Sequence, residues 1–216
     1  MDSSPSKLTL FQLETLRAFF SREQQFFLTG GAALAGFYLK HRLTDDLDLF
    51  TTDDDAFGRG RYVLEDVAAS LGGRVEIRQQ APRFLRAVLV RGDDGVVVDL
   101  VRDGRQLHAE KPVIDEIRID AADEILVNKL TTLIGRAEER DLVDVLFLER
   151  SGLRIEDALP AALDKDGGCT PAALAWVLSE ISIPPELELP GGVSAAEMRT
   201  FVDDLIVRLR RAALPT

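Results

Sequence analysis

Two aspartates at alternate positions, Asp46 and Asp48, mark the stretch of the sequence with the clearest chemical potential. The surrounding segment TDDLDLF alternates polar and apolar residues. This pattern is typical of a strand with Leu47 and Leu49 on one face and the two acids on the other. Like charges at such close range are unfavourable unless a cation neutralises them. A hard divalent cation with oxygen ligands, preferably Mg²⁺, is the natural counter-charge, so the pair predicts a metal site.

A third acid, Asp99, interrupts the otherwise apolar strand GVVVDLV. Burying this carboxylate without a partner would be costly. Its position is best explained if it meets Asp46 and Asp48 at one metal site. Asp45 precedes the pair and should point to the opposite face of its strand, so it is expected to be peripheral.

Gly30 and Gly31 follow the short apolar strand FFLT and precede a segment of helical composition, AALAGFYLKH. At such a junction, backbone N–H groups and the helix N-terminus favour an anion, and the missing side chains permit close approach. Phosphate is the common ligand. A Gly-Gly pair alone is most often only a turn. Its order ahead of the acids favours a triphosphate held between glycine amides and carboxylate-bound metal, ready for in-line attack on a phosphoryl centre.

The elements that must position these residues can be read from hydrophobic periodicity and turn residues. The helices predicted before residue 121 cover residues 8–20, 32–41 and 62–70, and the strands cover 26–29, 44–50, 83–91 and 95–101. The last two strands are joined by GDDG, which is typical of a hairpin turn. From residue 121 the pattern is helical, with two segments in 121–152 and further helices near 155–163, 171–181 and 194–214. Trp176 is predicted to lie in the core of this helical part.

The composition limits the class of protein. A formal net charge of -11 argues against a protein that coats nucleic acid by bulk electrostatics, because counterion release needs clustered cations. The segment 74–91 departs from this balance, since it holds five arginines against one acid. These arginines either contact a polyanion or are solvent-facing residues of an amphipathic hairpin. They are Arg74, Arg78, Arg83, Arg86 and Arg91.

Several features predict a cytoplasmic protein with no membrane span. The longest apolar runs fall far short of the roughly 20 residues that a spanning helix needs. The opening segment MDSSPSKLTLF has no long apolar run behind a basic stretch, so a secretory signal is not expected. The single cysteine, Cys169, cannot form an internal disulfide and fits a reducing compartment.

Two segments resemble a known family. LTGGAALAGFYLKHRLTDDLDLF, residues 28–50, resembles the opening motif of nucleotidyltransferases with the polymerase-beta-like fold. KLTTLIGRAEERDLVDV resembles the AbiEii/AbiGii-type toxin nucleotidyltransferases, which carry a lysine on one helix and an Arg-Asp-x-x-Asp pattern at the start of the next. The matching residues here are Lys129, Arg140, Asp141 and Asp144.

The resemblance covers roughly residues 26–150 and implies an α+β fold. The expected architecture is a small mixed β-sheet nucleotidyltransferase core with flanking helices at residues 1–120. A C-terminal helical bundle would follow at residues 121–216.

The resemblance also implies roles for the residues of the first part. Gly30 and Gly31 would hold nucleotide phosphates, and Asp46 and Asp48 would bind Mg²⁺. Asp99 would supply the third carboxylate and help activate the attacking hydroxyl. The arginine and the serine-like residue that family members place ahead of the paired acids are approximated by Arg42 and Thr44, with Asp45 as an added acid.

In the second part, the resemblance implies that Lys129 reaches the triphosphate and that Asp141 supports the site, by fixing Lys129 or a substrate group. Apolar neighbours of Lys129 mark a packed helix from which a lysine could point inward, although a surface lysine is the alternative. Arg140 and Asp144 are four residues apart, so they could also form an ion pair on the surface of a helix and have no role in the site.

These observations predict an enzyme that transfers a nucleoside monophosphate from an NTP to an acceptor hydroxyl. The family resemblance adds the tRNA 3′ end as an acceptor and implies a toxin paired with an antitoxin. Transfer to a protein or small molecule stays open, and so does a non-catalytic nucleotide-binding module. The clustered charges argue against a non-catalytic module. A site that has lost its activity has no reason to keep charges that cost free energy through desolvation and repulsion.

Overall fold

A computed structural model describes residues 6–214 of the chain. Residues 1–5 and 215–216 lie outside the described part, and the opening segment, for which no secretory signal is expected, falls partly among them. The chain divides into two compact units, with the boundary between Ala121 and Ala122. Within residues 6–214, no helix has both the length and the apolar character that a membrane crossing requires.

Over residues 6–121, the first unit contains a five-stranded sheet, a two-stranded ribbon, three α-helices and a π-helical turn. Its elements are α1 (Leu10–Phe20), β1 (Phe26–Thr29), α2 (Gly30–Ala33), β2 (Asp46–Thr51), α3 (Asp54–Ser70), β3 (Arg74–Ala81), β4 (Phe84–Arg91), β5 (Asp94–Arg102), β6 (Val113–Ile114) and β7 (Ile117–Arg118). The strands of the larger sheet lie in the order β1-β2-β5-β4-β3. β2 and β5 are parallel and the other neighbours are antiparallel, so the sheet is mixed, as predicted.

One face of this sheet is apolar and carries the packing of the unit. Leu47 and Leu49 of β2 and Leu100 of β5 are buried there, and α3 packs close because Gly60 has no side chain. A Cβ at Gly60 would lie only 2.7 Å from Cδ1 of Leu100. Fully burying one such leucine contributes about 1.5–3 kcal/mol. A slip of β2 by one residue would expose its leucines and bury its acids, so packing on this face fixes where the acids point.

Several elements of the first unit differ from the sequence prediction. The helix predicted over residues 32–41 is α-helical only at Gly30–Ala33 and continues as a π-helical turn over Leu34–Tyr38. Helix α3 begins well before residue 62, because the Asp53 side chain caps it by accepting from the backbone N–H of Ala56 at 2.7 Å. The sequence pattern does not predict strand β3 or the short strands β6 and β7.

The second unit is helical, as predicted. Its helices are α4 (Ala122–Gly135), α5 (Glu139–Arg150), α6 (Ile155–Lys165), α7 (Pro171–Ser179) and α8 (Ala195–Ala212). Gly152 adopts a φ of 104° just after α5, where the sequence predicts a stop. Cys169 is buried, and burial, with a smaller effect of Asp166, raises the pKa of its thiol to about 11. The prediction for Trp176 is wrong, since 66% of this residue is exposed.

Candidate active site

Strands β2 and β5 bring the three predicted acids together. Their parallel register places Asp48 beside Asp99. One carboxylate oxygen from each of Asp46, Asp48 and Asp99 lies within 4.8 Å of the others. Asp45 is exposed and outside this group, in agreement with its predicted position.

The donor set fits a hard divalent cation. Opposite oxygen ligands of Mg²⁺ are about 4.2 Å apart, since each bond is about 2.1 Å. Oxygens within 4.8 Å of one another therefore need only small side-chain rotations to surround one ion. Asp46 and Asp48 are partly exposed, whereas Asp99 is only 4% exposed. The Thr44 hydroxyl lies 3.4 Å from Oδ1 of Asp46 as a hydrogen-bond donor and helps to orient it.

An arginine from the neighbouring strand completes the cluster. Arg86 lies directly opposite Asp99 in the register of β4 and β5. Its Nε donates to Oδ1 of Asp99 at 2.8 Å and its Nη2 donates to Oδ2 at 2.6 Å. The hydrogen bond to Asp99, together with the charges of Asp99, Asp46 and Asp48, outweighs partial burial and raises the pKa of Arg86 above its usual value. Arg86 thus explains how the Asp99 carboxylate can be buried.

The glycine turn adjoins the acids. Gly30 has a φ of 63°, and a Cβ there would lie 2.3 Å from Oδ2 of Asp48. A Cβ at Gly31 would lie 2.5 Å from Nη2 of Arg42. The Thr29 hydroxyl does not cap the helix that follows, because it donates to Asp120 at 2.8 Å. The turn therefore combines backbone donors of α2 with a nearby guanidinium, which suits an anion.

We expect Gly30→Ala to lower the free energy of unfolding by about 1–3 kcal/mol, because a side chain is strained at this positive φ. Its methyl group would also displace Asp48. Gly58 is the matched control, because it is helical and exposed, and a methyl group added there would have no neighbouring atom within 4 Å. Gly58→Ala should raise the free energy of unfolding by about 0.5–1 kcal/mol through helix propensity. Chemical denaturation checks both values, and equal effects would contradict the strained turn.

A second charged cluster lies within the helical unit. The Lys129 ammonium of α4 contacts Oδ1 of Asp141 and Oδ2 of Asp144, both on α5, at 2.7 Å each. All three residues are buried. Burial disfavours the charged ammonium, but the charges and hydrogen bonds of Asp144 and Asp141 outweigh it and raise the pKa of Lys129. The inward-pointing lysine is confirmed. The alternative in which Arg140 and Asp144 form a surface ion pair is wrong, since Asp144 is 0% exposed.

The five arginines of residues 74–91 do not share one surface. Arg74 and Arg78 both pair with Glu76, at 2.7 and 2.5 Å. Arg91 lies on the opposite face of β4 from Arg86, where it pairs with an acid of α1. Of the five, Arg86 alone has a described contact with the carboxylate cluster.

A family model supplies the decisive comparison. The model described as "Nucleotidyl transferase AbiEii toxin, Type IV TA system" matches residues 13–213. The chain belongs to the AbiEii family. It is therefore a nucleotidyltransferase, and the family recognised from residues 28–50 and 129–144 extends over nearly the whole chain.

Solved structures agree with the AbiEii assignment at the level of fold. A candidate nucleotidyltransferase from H. pylori has a TM-score of 0.57 at 19% identity, over 94% of this chain and 96% of that one. JHP933 from Helicobacter pylori gives 0.57 at 18%, over 95% and 94%. MenT4, a nucleotidyltransferase toxin from Mycobacterium tuberculosis, gives 0.50 at 15%, over 94% and 85%. No curated protein matches the sequence of this AbiEii member.

Proposed function

We propose that this AbiEii nucleotidyltransferase moves a nucleoside monophosphate from an NTP to the 3′ hydroxyl of tRNA in a Mg²⁺-dependent reaction. We further propose that it acts as a toxin restrained by an antitoxin. The single observation that carries the metal dependence is the approach of Asp46, Asp48 and Asp99 to within 4.8 Å. The family description, which names a toxin of a type IV toxin–antitoxin system, supports the biological role.

In this reaction the acceptor oxygen forms a bond to the α-phosphorus of the NTP. The bond from that phosphorus to the oxygen bridging to the β-phosphate breaks, and pyrophosphate leaves. A bound divalent cation would polarise the α-phosphoryl group and favour the ionised acceptor. We assign Asp46 and Asp48 to holding that cation, and Asp99 to holding it and receiving the acceptor proton. The backbone N–H groups of Gly30 and Gly31 would donate to the phosphates.

The family pattern also supports a role for Lys129 in binding the triphosphate. Asp141 and Asp144 hold its ammonium from two sides, at 2.7 Å each. A lysine held in this way keeps its charge at any physiological pH, since its pKa is raised. We therefore assign Asp141 to orienting Lys129.

The tRNA acceptor is supported by exposed cations in a protein whose overall net charge is -11. Arg74, Arg78 and Arg83 are exposed on β3 and on the turn that follows it. Each could neutralise a backbone phosphate, so binding should weaken as salt concentration rises. Arg91 faces α1 and is not assigned to RNA contact. Protein or small-molecule acceptors remain the competing candidates for the same transfer.

The test is an incubation of the protein with each α-labelled NTP, Mg²⁺ and total tRNA. We expect label on tRNA with at least one NTP, and loss of label with EDTA or with Asp46→Ala/Asp48→Ala. Periodate-oxidised tRNA, which lacks an intact 3′ terminal diol, should remain unlabelled. Label that persists on oxidised tRNA would refute the 3′ hydroxyl as acceptor. Label on protein with none on tRNA would refute the RNA substrate while preserving nucleotidyl transfer.

A further inference from the structure

Asp99 is the most deeply buried acid of the cluster, and it pairs with Arg86. Both of its oxygens accept hydrogen bonds from Arg86, at 2.8 and 2.6 Å. Bidentate arginine–carboxylate pairs of this kind are among the stronger hydrogen-bonded contacts in proteins. The third carboxylate of the metal site is therefore occupied by a cation that belongs to the chain.

The charges of the cluster also indicate that Arg86 opposes metal binding. Three carboxylates carry a charge of about -3, and the guanidinium reduces this to about -2. A divalent ion that approaches Asp46 and Asp48 meets the positive charge of Arg86 across the same face of the sheet. Repulsion between the guanidinium and a divalent ion weakens the binding of that ion.

We infer that Arg86 competes with the metal for Asp99, and that NTP binding relieves this competition. In the metal-free protein Arg86 holds both oxygens of Asp99. When the negatively charged triphosphate arrives, Arg86 turns from Asp99 towards it and leaves an Asp99 oxygen to the metal. Metal and nucleotide thus bind cooperatively through one side chain. This inference rests on the proposed function, because it takes the triphosphate as the second ligand.

The surroundings of Arg86 permit this movement. The Arg86 side chain is 44% exposed whereas that of Asp99 is 6% exposed, so the arginine can move while the acid stays. Phe84, two residues earlier on the same face of β4, has its ring centroid 5.8 Å from Cζ of Arg86. An aromatic face at that distance can support a guanidinium that has left its carboxylate.

Direct measurement of Mn²⁺ binding tests the inference without relying on catalysis. Paramagnetic resonance of free Mn²⁺ would give the dissociation constant with and without a non-hydrolysable NTP analogue. For Arg86→Gln we expect Mn²⁺ to bind about tenfold more tightly than to the parent protein in the absence of nucleotide. The enhancement by nucleotide should largely disappear in that variant.

Arg91→Gln is the matched control, since it makes the same change of charge on the same strand but on the opposite face. It should bind Mn²⁺ as the parent does. Arg86→Lys keeps the charge but loses the bidentate contact, so its affinity should lie between those of the parent and Arg86→Gln. Circular dichroism establishes whether each variant is folded. If Arg86→Gln does not fold, Arg86→Lys tests the inference in its place.

The outcomes separate this inference from the proposed function. In one outcome, the parent binds Mn²⁺, Asp46→Ala does not, and Arg86→Gln binds it no more tightly than the parent. This result would overturn only the competition between Arg86 and the metal, and Arg86 would then be a residue that orients Asp99. Absence of Mn²⁺ binding to every variant and to the parent, with or without nucleotide, would overturn the metal-dependent function together with the inference.

Discussion

Asp46→Ala should reduce kcat/KM for nucleotidyl transfer by at least about 10³-fold, which corresponds to about 4 kcal/mol of lost transition-state stabilisation. Removal of one of three converging carboxylates takes away one oxygen ligand and one negative charge, so the cation is held less tightly and less accurately. The same change should leave the thermal stability of the metal-free protein equal or slightly higher, because it relieves repulsion from Asp48 and Asp99. A steady-state transfer assay and thermal denaturation measure the two effects.

Asp45→Ala provides a control one residue away. Asp45 is exposed and outside the carboxylate cluster, so the substitution removes the same charge without a ligand. Its kcat/KM should stay within about twofold of the parent value, as is usual for a surface change. Mg²⁺ should raise the melting temperature of the parent and of Asp45→Ala but not that of Asp46→Ala. Equal losses of activity in both variants would contradict the assignment of Asp46, and unfolding of Asp46→Ala would indicate a structural acid.

The carboxylate cluster could be predicted because a strand alternates its side chains between two faces. Leu47 and Leu49 are apolar and are expected to face the core. Asp46 and Asp48, at the alternate positions, must then lie on the other face of the strand. Asp99 could be added because an acid in an apolar strand needs a partner. These inferences use only local sequence and the cost of burial, so they did not require the order of the strands.

The pairing of Arg86 with Asp99 was missed although the sequence contains the signal for it. The hairpin loop consists of two residues, so Arg91 lies opposite Asp94. Counting five residues back along β4 and five forward along β5 places Arg86 opposite Asp99. Charge alone groups Arg86 with its neighbouring arginines, and only the register of the hairpin separates it from them.

Other features depend on packing that local sequence does not encode. Trp176 lies in an apolar helix, PAALAWVLS, whose composition does not distinguish its buried face from its exposed face. The π-helical turn after Ala33 leaves no recognisable residue pattern. The sequence predicted an inward lysine at position 129 but not its double pairing, because that depends on how α4 and α5 pack.

Lys129→Met should lower the free energy of unfolding by about 3–5 kcal/mol, the range found when one partner of a buried ion pair is removed. The substitution leaves Asp141 and Asp144, which are 1% and 0% exposed, without their shared cation. Replacing Asp144 by Asn in the same chain removes one of the stranded charges and should restore part of the loss. Denaturant unfolding measures all three proteins.

Arg154→Met supplies the control in the same unit, because Arg154 and its partner Asp157 have side chains that are 70% and 77% exposed. Exposed pairs contribute about 0–1 kcal/mol, so this variant should unfold almost as the parent does. The pKa of Lys129 is raised by folding, so its stabilising effect is complete below the unfolded lysine pKa of about 10.4 and declines as pH rises through the folded value. The parent should therefore lose stability relative to Lys129→Met only above about pH 10.4. A loss that is already present near pH 8, or a Lys129→Met variant as stable as Arg154→Met, would show that the ammonium is not held by two buried carboxylates.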